Sequence, residues 1–531
     1  MRPAMPLAAS PELASSTWVV RQVGHDRAFR RGRRWLLAAL LVYAAVTWFV
    51  VVPHGIGYSW RECDTQAIAR NFLLDGFDPL RPRVDWRGDT DGAVECEFPF
   101  YQLAIASVMA AFGDVEWPGR LLAMVSMLLA TVSLHRLLEQ RSGAGPALAG
   151  GLVFLCGGHA VMLGSRVMPD AASVALGIAG LTTFVRYLGT GSSRSLWLGA
   201  AAVTLGSLQK PTTLQVGLLM FAWTVLLAPK RLREPRLWVA LLLVPAVVAG
   251  WILHAQGLHA ETGLTFGVTS AGDTKFPALD HLLSPLIHAQ LARTTLLYGL
   301  SPFGIVALLV LFVRWRVDRT DAALLGITAA TLLATLRYSY HHGMGPQYHV
   351  FAAMAGAWCI ARVWPQAAAR WLWGVLVAAV LVHGAWQVSI ERHKKEGCSS
   401  TPLLSLATQL RELSASDELT VLRADKPEFD LAWGRRNNFE DPRLFYHAQR
   451  HGWILPSDGF EVATLANLQQ RGARIVVDLL PGLTTPEVTR WLTEHGDVVV
   501  REPSWIVHRL HGPAVPAPAT SPRTVPGTRG G

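Results

Sequence analysis

"RECDTQAIARNF" (residues 61–72) stands just beyond a long apolar run and places Arg61, Glu62 and Asp64 where a chain leaves a membrane. The run before it, "WLLAALLVYAAVTWFVVVP" (35–53), is long enough to cross a bilayer and follows the basic stretch "RRGRR" (30–34). No small-residue cleavage site follows it, so it reads as an uncleaved first anchor and not as a signal peptide. Working outward, 51% of the 531 residues are hydrophobic and only 16% charged, against roughly 25% in a soluble domain. The chain is therefore expected to be an integral membrane protein. Its formal charge of +10 does not call for nucleic acid, because the basic residues fall in short loops, where they set orientation.

Twelve apolar runs can be read: 35–53, 98–113, 117–138, 145–164, 168–187, 196–209, 211–228, 236–255, 294–313, 321–337, 345–362 and 370–389. If all twelve cross, successive basic loops alternate sides. If 98–113 only dips into the outer face, His135–Arg141, Arg186–Arg194, 228–236, 314–319 and Arg362–Arg370 all face the cytoplasm. The expected fold is a polytopic α-helical membrane protein with about eleven transmembrane helices and a small C-terminal α/β domain outside the cytoplasm. Its divisions are a basic cytoplasmic N-terminus (1–34), a transmembrane domain (35–390) whose first outer loop is 54–116, a soluble α/β domain (391–512), and a disordered tail (513–531) rich in Pro, Thr, Gly and Ala. In the C-terminal domain strands are expected at 418–424, 473–480, 497–502 and 505–510, with helices at 462–471 and 485–495.

Asp64, read alone, is an N-cap for the helix that "DG" (75–76) ends. Capping does not explain its company. Glu62, Asp75, Asp78, Asp85, Asp89, Asp91, Glu95 and Glu97 share the same loop, interleaved with Arg61, Arg81, Arg83 and Arg87. A solvated acidic loop is the other plain reading, but Trp60, Trp86 and Phe98 are residues of the headgroup region. Run 196–228 has Arg194 and Lys230 at its two cytoplasmic ends, so it is a hairpin with its tip at Gln209–Pro211. Its short arms leave Lys210 at or below the outer interface, where a lysine either snorkels or has a functional partner. Outward turns also carry Arg166 with Asp170, and Arg337 with His341, His342, Tyr348 and His349. A carboxylate base with several cations at a bilayer surface suits sugar transfer from a lipid phosphate, because a phosphate leaves without protonation by a second carboxylic acid.

The stretches "RECDTQAIARNFLLDGFDPLRPRVDW", "ECEFPFYQLAIASVMAAFGDVEWPGRLLAMV", "SRVMPD", "LQKPTTL" and "YHHGMGPQYHVFAAMAGAW" resemble polyprenyl-phosphate-dependent glycosyltransferases of the GT-C superfamily, nearest to protein mannosyltransferases and the lipid A aminoarabinose transferase. The resemblance spans residues 35–390. It implies Asp64 as catalytic base, Glu97 near the donor, Asp170 as a second acid, and Lys210 and the 337–349 turn, with Arg337, His341, His342 and Tyr348, on the donor-phosphate side; Arg61 and Arg166 are expected there as further cations. Where the family often has Asp-Glu this chain has Glu62-Cys63-Asp64, which leaves open whether Glu62 shares the work. The implied reaction is inverting transfer from an undecaprenyl- or decaprenyl-phosphate sugar to a lipid, glycan or protein acceptor on the outer side of a bacterial inner membrane. No metal is expected to be obligatory, although the acids suit Mg²⁺ or Mn²⁺. Three alternatives remain: an oligosaccharide ligase or polymerase, a lipid-linked sugar transporter or flippase, and an inactive anchor for the C-terminal domain. Cys63 and Cys96 lie beside candidate acids, where either a bridge holding Asp64 near Glu97 or two free thiols can be written.

Overall fold

The computed structural model describes residues 27–51, 59–269, 279–336, 346–365, 368–399, 402–430, 435–437 and 439–512. The chain divides into two compact units: Met1–Arg83 with Ala93–Thr401, and Val84–Gly92 with Pro402–Gly531.

The described parts of all twelve apolar runs fall largely on helices of the first unit. Among the described residues, five helices are long and apolar enough to cross a membrane, within Gly32–Val51, Trp117–Ser142, Pro169–Thr190, Pro235–Thr262 and Arg370–Leu413. The count becomes seven if each of two bent pairs is one span. Eleven crossings therefore exceed what length and composition select. Phe100–Phe112, from the run expected not to cross, has 13 residues and a length of about 20 Å against a hydrocarbon core of about 30 Å. Two runs read as continuous are broken. Ala144–Leu155 and Gly158–Ser165 meet at 57°, and Pro285–Leu297 and Ser301–Val313 at 101°. At the sharper break Pro302 has no N–H to continue the preceding helix, and Ser301 takes φ 61°.

Small residues let the helices of this unit approach closely. Gly180 on Pro169–Thr190 faces Gly199 on Ser193–Gln209, and a Cβ added at either would lie 2.9–3.0 Å from the other's carbonyl oxygen. Around this contact Phe184, Tyr187, Trp223 and Trp358 are buried in one core. Pro169 starts its helix at a position where a missing N–H costs nothing, and Gly191, in the left-handed region at φ 72°, ends it. Asp170 is thereby fixed in the first turn.

The second unit holds a five-stranded sheet in the order β4-β1-β5-β7-β6. Its strands are β1 (Leu419–Arg423), β4 (Gly452–Leu455), β5 (Ala473–Asp478), β6 (Gly496–Glu502) and β7 (Trp505–Leu510), while β2 (Phe429–Asp430) and β3 (Arg435–Arg436) pair separately. β1 runs parallel to both β4 and β5, and β7 is antiparallel to β5 and β6. Helices Val462–Gln470 and Pro486–His495 contribute Leu465, Leu468, Trp491 and Leu492 to its core. The short helix Arg443–Ala448 buries Leu444, Phe445 and Tyr446. The boundary expected at 391 lies further on, because the helix Arg370–Ser399 continues past it. Nine residues of the expected first outer loop, Val84–Gly92, also belong to this unit. Gly88 N–H donates to Gly452 O at 2.7 Å, Gly452 N–H donates to Asp85 O at 3.2 Å, and Arg471 pairs with Asp89. Gly88 has φ 58°, and a Cβ there would lie 2.2 Å from the Trp453 indole nitrogen.

Candidate active site

The helix Trp60–Leu74 opens with a capping box that does not use Asp64. Ser59 is the N-cap, and its N–H and hydroxyl donate to Glu62 Oε2 at 3.0 and 2.7 Å. Asp64 lies further along the helix, buried with its neighbours from Glu62 to Phe72. The N-cap reading of Asp64 is therefore replaced: Ser59 and Glu62 already serve the first-turn donors, and Asp64 is a buried acid beyond them. The loop that returns the chain is not simply solvated either, since Asp85 and Glu95 are both buried.

Glu97 sits between two cations. Its Oε2 accepts from an Arg61 guanidinium nitrogen at 2.7 Å and its Oε1 from Lys210 Nζ at 2.8 Å. Burial alone would push Glu97 up, but Lys210 and Arg61 outweigh it and hold the carboxyl well below its ordinary range. Lys210 is held charged in the same way, with Asp170 and Glu97 overcoming its burial. Burial likewise opposes charge on Arg61, yet Glu97, Asp64 and Asp170 together raise it. Lys210 occupies the extended break between Ser193–Gln209 and the turn Pro211–Thr213, as the hairpin reading requires. Phe98 N–H donates to Leu208 O at 2.9 Å, which ties the segment carrying Glu97 to that tip.

Asp170 completes the group. Lys210 Nζ is 3.8 Å from Asp170 Oδ1, too far for a hydrogen bond, and among the described residues neither buried Asp170 oxygen accepts one. Tyr348 lies within the fields of Lys210, Asp170, Glu97 and Arg61. Arg337, His341 and His342 lie outside the described residues.

A latch missed in the sequence holds one side of the site. Glu95 accepts from Thr269 N–H at 2.8 Å, from its hydroxyl at 2.7 Å and from the Thr265 hydroxyl, while Phe266 places its ring 4.6 Å from the Arg61 guanidinium. Trp251 Nε1 donates to Cys96 O at 2.9 Å. Neither Cys63 nor Cys96 is in a disulfide; both are buried, and the Cys96 thiol donates to Glu97 O at 3.2 Å.

Two of the expected site residues are engaged in another cluster. Glu62 Oε1 accepts from Val167 N–H at 3.0 Å and from Lys395 Nζ. Arg166 donates to Glu391 at 2.5 and 3.1 Å. Burial would raise Glu62, but Lys395 and Arg166 bring it down to about 2. A carboxylate accepting on both oxygens is poorly placed to take a proton from an acceptor. The available signal was Glu391 and Lys395 four residues apart at the end of the last apolar run, on one helical face.

Among the described residues, no group of three or more His, Cys, Asp or Glu is arranged to hold a metal ion. The model of the dolichyl-phosphate-mannose-protein mannosyltransferase family matches residues 97–254, a stretch that includes Glu97, Asp170 and Lys210. The structure is similar to ArnT from Cupriavidus metallidurans bound to undecaprenyl phosphate, with TM-score 0.60 and 14% identity over 90% of this chain and 98% of that one. It is also similar to the archaeal oligosaccharyltransferase AglB from Archaeoglobus fulgidus in complex with an inhibitory peptide and a dolichol-phosphate, with TM-score 0.51 and 12% identity over 92% of this chain and 75% of that one. No curated protein matches the sequence. The fold is the GT-C fold of membrane glycosyltransferases.

Proposed function

We propose that this chain is an inverting membrane glycosyltransferase, moving a sugar from a polyprenyl-phosphate donor to a lipid, glycan or protein acceptor, with Asp64 as general base. The observation that carries the reading is the meeting of the partly buried Arg61, Glu97 and Lys210 with the buried Asp170, whose charges bear on one another and on Asp64. Asp64 takes the proton of the acceptor hydroxyl as that oxygen bonds to the anomeric carbon. The bond from that carbon to the phosphate oxygen breaks on the opposite face, and the polyprenyl phosphate leaves with the electron pair. Attack opposite the leaving group inverts the anomeric centre. Lys210 and Arg61 supply positive charge for the departing phosphate, in a setting where burial strengthens it. Asp170, with acceptor capacity left over, orients a donor or acceptor hydroxyl.

With these cations in place, transfer needs no obligatory divalent metal. The membrane is the plasma membrane, with the N-terminus cytoplasmic and the site and C-terminal unit on the outer side. The test is turnover by purified protein on a panel of polyprenyl-phosphate sugars with membrane-lipid and glycan extracts, with and without chelator. Asp64→Asn is expected to fold, to bind donor and to lose about 10²–10⁴-fold in turnover. Full turnover by Asp64→Asn would remove the base assignment, and loss in chelator restored by Mg²⁺ or Mn²⁺ would recast the acids as ligands.

A further inference from the structure

The last turns of the helix Arg370–Ser399 reach three separate parts of the first unit. Glu391 receives both Arg166 hydrogen bonds, Lys394 Nζ donates to the Tyr298 hydroxyl at 2.8 Å, and Lys395 Nζ donates to Glu62. The Lys395 and Glu62 side chains are 2% and 0% exposed. An ion pair buried this deeply is a weak source of stability, since apolar replacements of both partners are often neutral or better. Its geometry is the informative part. Glu62 Oε2 holds Ser59, the N-cap of the helix that carries Asp64. Glu62 Oε1 holds the Val167 N–H, in the turn that leads into the helix carrying Asp170. Arg166, next to Val167, is tied to the same face of the Arg370–Ser399 helix as Lys395. One carboxylate thus joins the starts of the two helices that present the acids. Glu62 and Asp64, two residues apart, point to different sides of their helix.

We propose that Glu62, held by Lys395, is a positioning residue that sets Asp64 relative to Asp170 and takes no proton itself. This rests on the assignment of Asp64 as base. A misplacement of about 1 Å in a reacting geometry costs on the order of 100-fold in rate. Loosening the clamp therefore lowers kcat, while donor binding through Lys210 and Arg61 is retained.

The experiment compares full-length wild type with Glu62→Gln, Lys395→Met, the double variant Glu62→Gln/Lys395→Met, and Asp64→Asn. Each is measured for kcat, donor KM, the pH profile of kcat and thermal unfolding in detergent. Both single clamp variants are expected to lose at least about tenfold in kcat with donor KM within about threefold, and the double variant to lose no more than the worse single, as parts of one unit do. The acid limb of the pH profile stays at its wild-type place, because Asp64 still takes the proton. If a single variant misfolds around a lone buried charge, the double variant, which has none, decides by the same criterion. Wild-type kcat in the folded clamp variants beside an inactive Asp64→Asn would overturn the clamp alone. Loss of the acid limb in Glu62→Gln, with Lys395→Met fully active, would make Glu62 the base and overturn it too. Full turnover by Asp64→Asn would mark failure of the base assignment itself.

Discussion

Asp321 and Asp170 are both buried carboxylates in the first turn of a helix of the same unit, and they are treated in opposite ways. Asp321 Oδ1 accepts from Trp358 Nε1 at 2.7 Å, Arg362 Nε reaches both of its oxygens at 3.1 Å, and Oδ2 accepts from Asp318 N–H at 3.2 Å in a capping box. Asp170 accepts no hydrogen bond among the described residues, and Lys210 stands 3.8 Å away. A buried acid whose oxygens are filled by its own protein is part of the scaffold. One left unfilled costs stability, and under the proposed function it is the carboxylate with capacity to meet a ligand hydroxyl. Burial alone, which the two share, separates nothing; hydrogen-bond satisfaction does.

The contrast can be broken experimentally. Asp321→Ala removes the buried carboxylate that Arg362 and Trp358 share and is expected to lower unfolding free energy by about 3 kcal/mol, with little change in kcat of the folded fraction. Equilibrium unfolding in detergent beside turnover would show it, and an unchanged unfolding midpoint would remove Asp321 from the scaffold.

Glu62 belongs with Asp321, and pH tests that placement. Its folded pKa is depressed from 4.5 to about 2, so its contribution is present above about pH 4.5 and fades as pH falls through 2. Thermal unfolding of wild type and Glu62→Gln from pH 7 to pH 2 should show a gap that narrows with acid; a constant gap would mean the pair is not ionic.

Asp170→Asn should reverse the Asp321 signature. Turnover is expected to fall about 10–100-fold, the worth of a charged hydrogen bond, with stability equal to wild type or higher. A drop in stability with full turnover would place Asp170 in the scaffold. Glu396→Gln supplies the baseline: its pair with Arg392 is half-exposed at both ends, and removal is expected to shift stability by less than about 0.5 kcal/mol.

Part of the geometry around the candidate site was legible in the sequence. Lys210 was marked by two short helical arms that had to meet near an interface, and Glu97 by its place where the loop returns to the apolar segment; the structure joins them at 2.8 Å. The pairing of Glu62 with Lys395 was not legible, because the neighbours of Glu62 in sequence say nothing of Lys395, and that of Arg166 with the distant Glu391 was hidden for the same reason. The break before Ser301 was written locally, in Gly299 and Pro302, but the apolar run concealed it.

By itself the sequence determined the membrane setting, the helical segments, the hairpin tip and the set of acids and bases facing one another, because hydropathy, Pro and Gly act over a few residues and need no partner. The tertiary structure decided which carboxylates are filled and which are left open, that Val84–Gly92 groups with the C-terminal unit, and that Glu62 is clamped from the far end of the first unit. Those outcomes depend on atoms meeting across hundreds of residues, where a hydrogen bond is made or missed within a few tenths of an ångström.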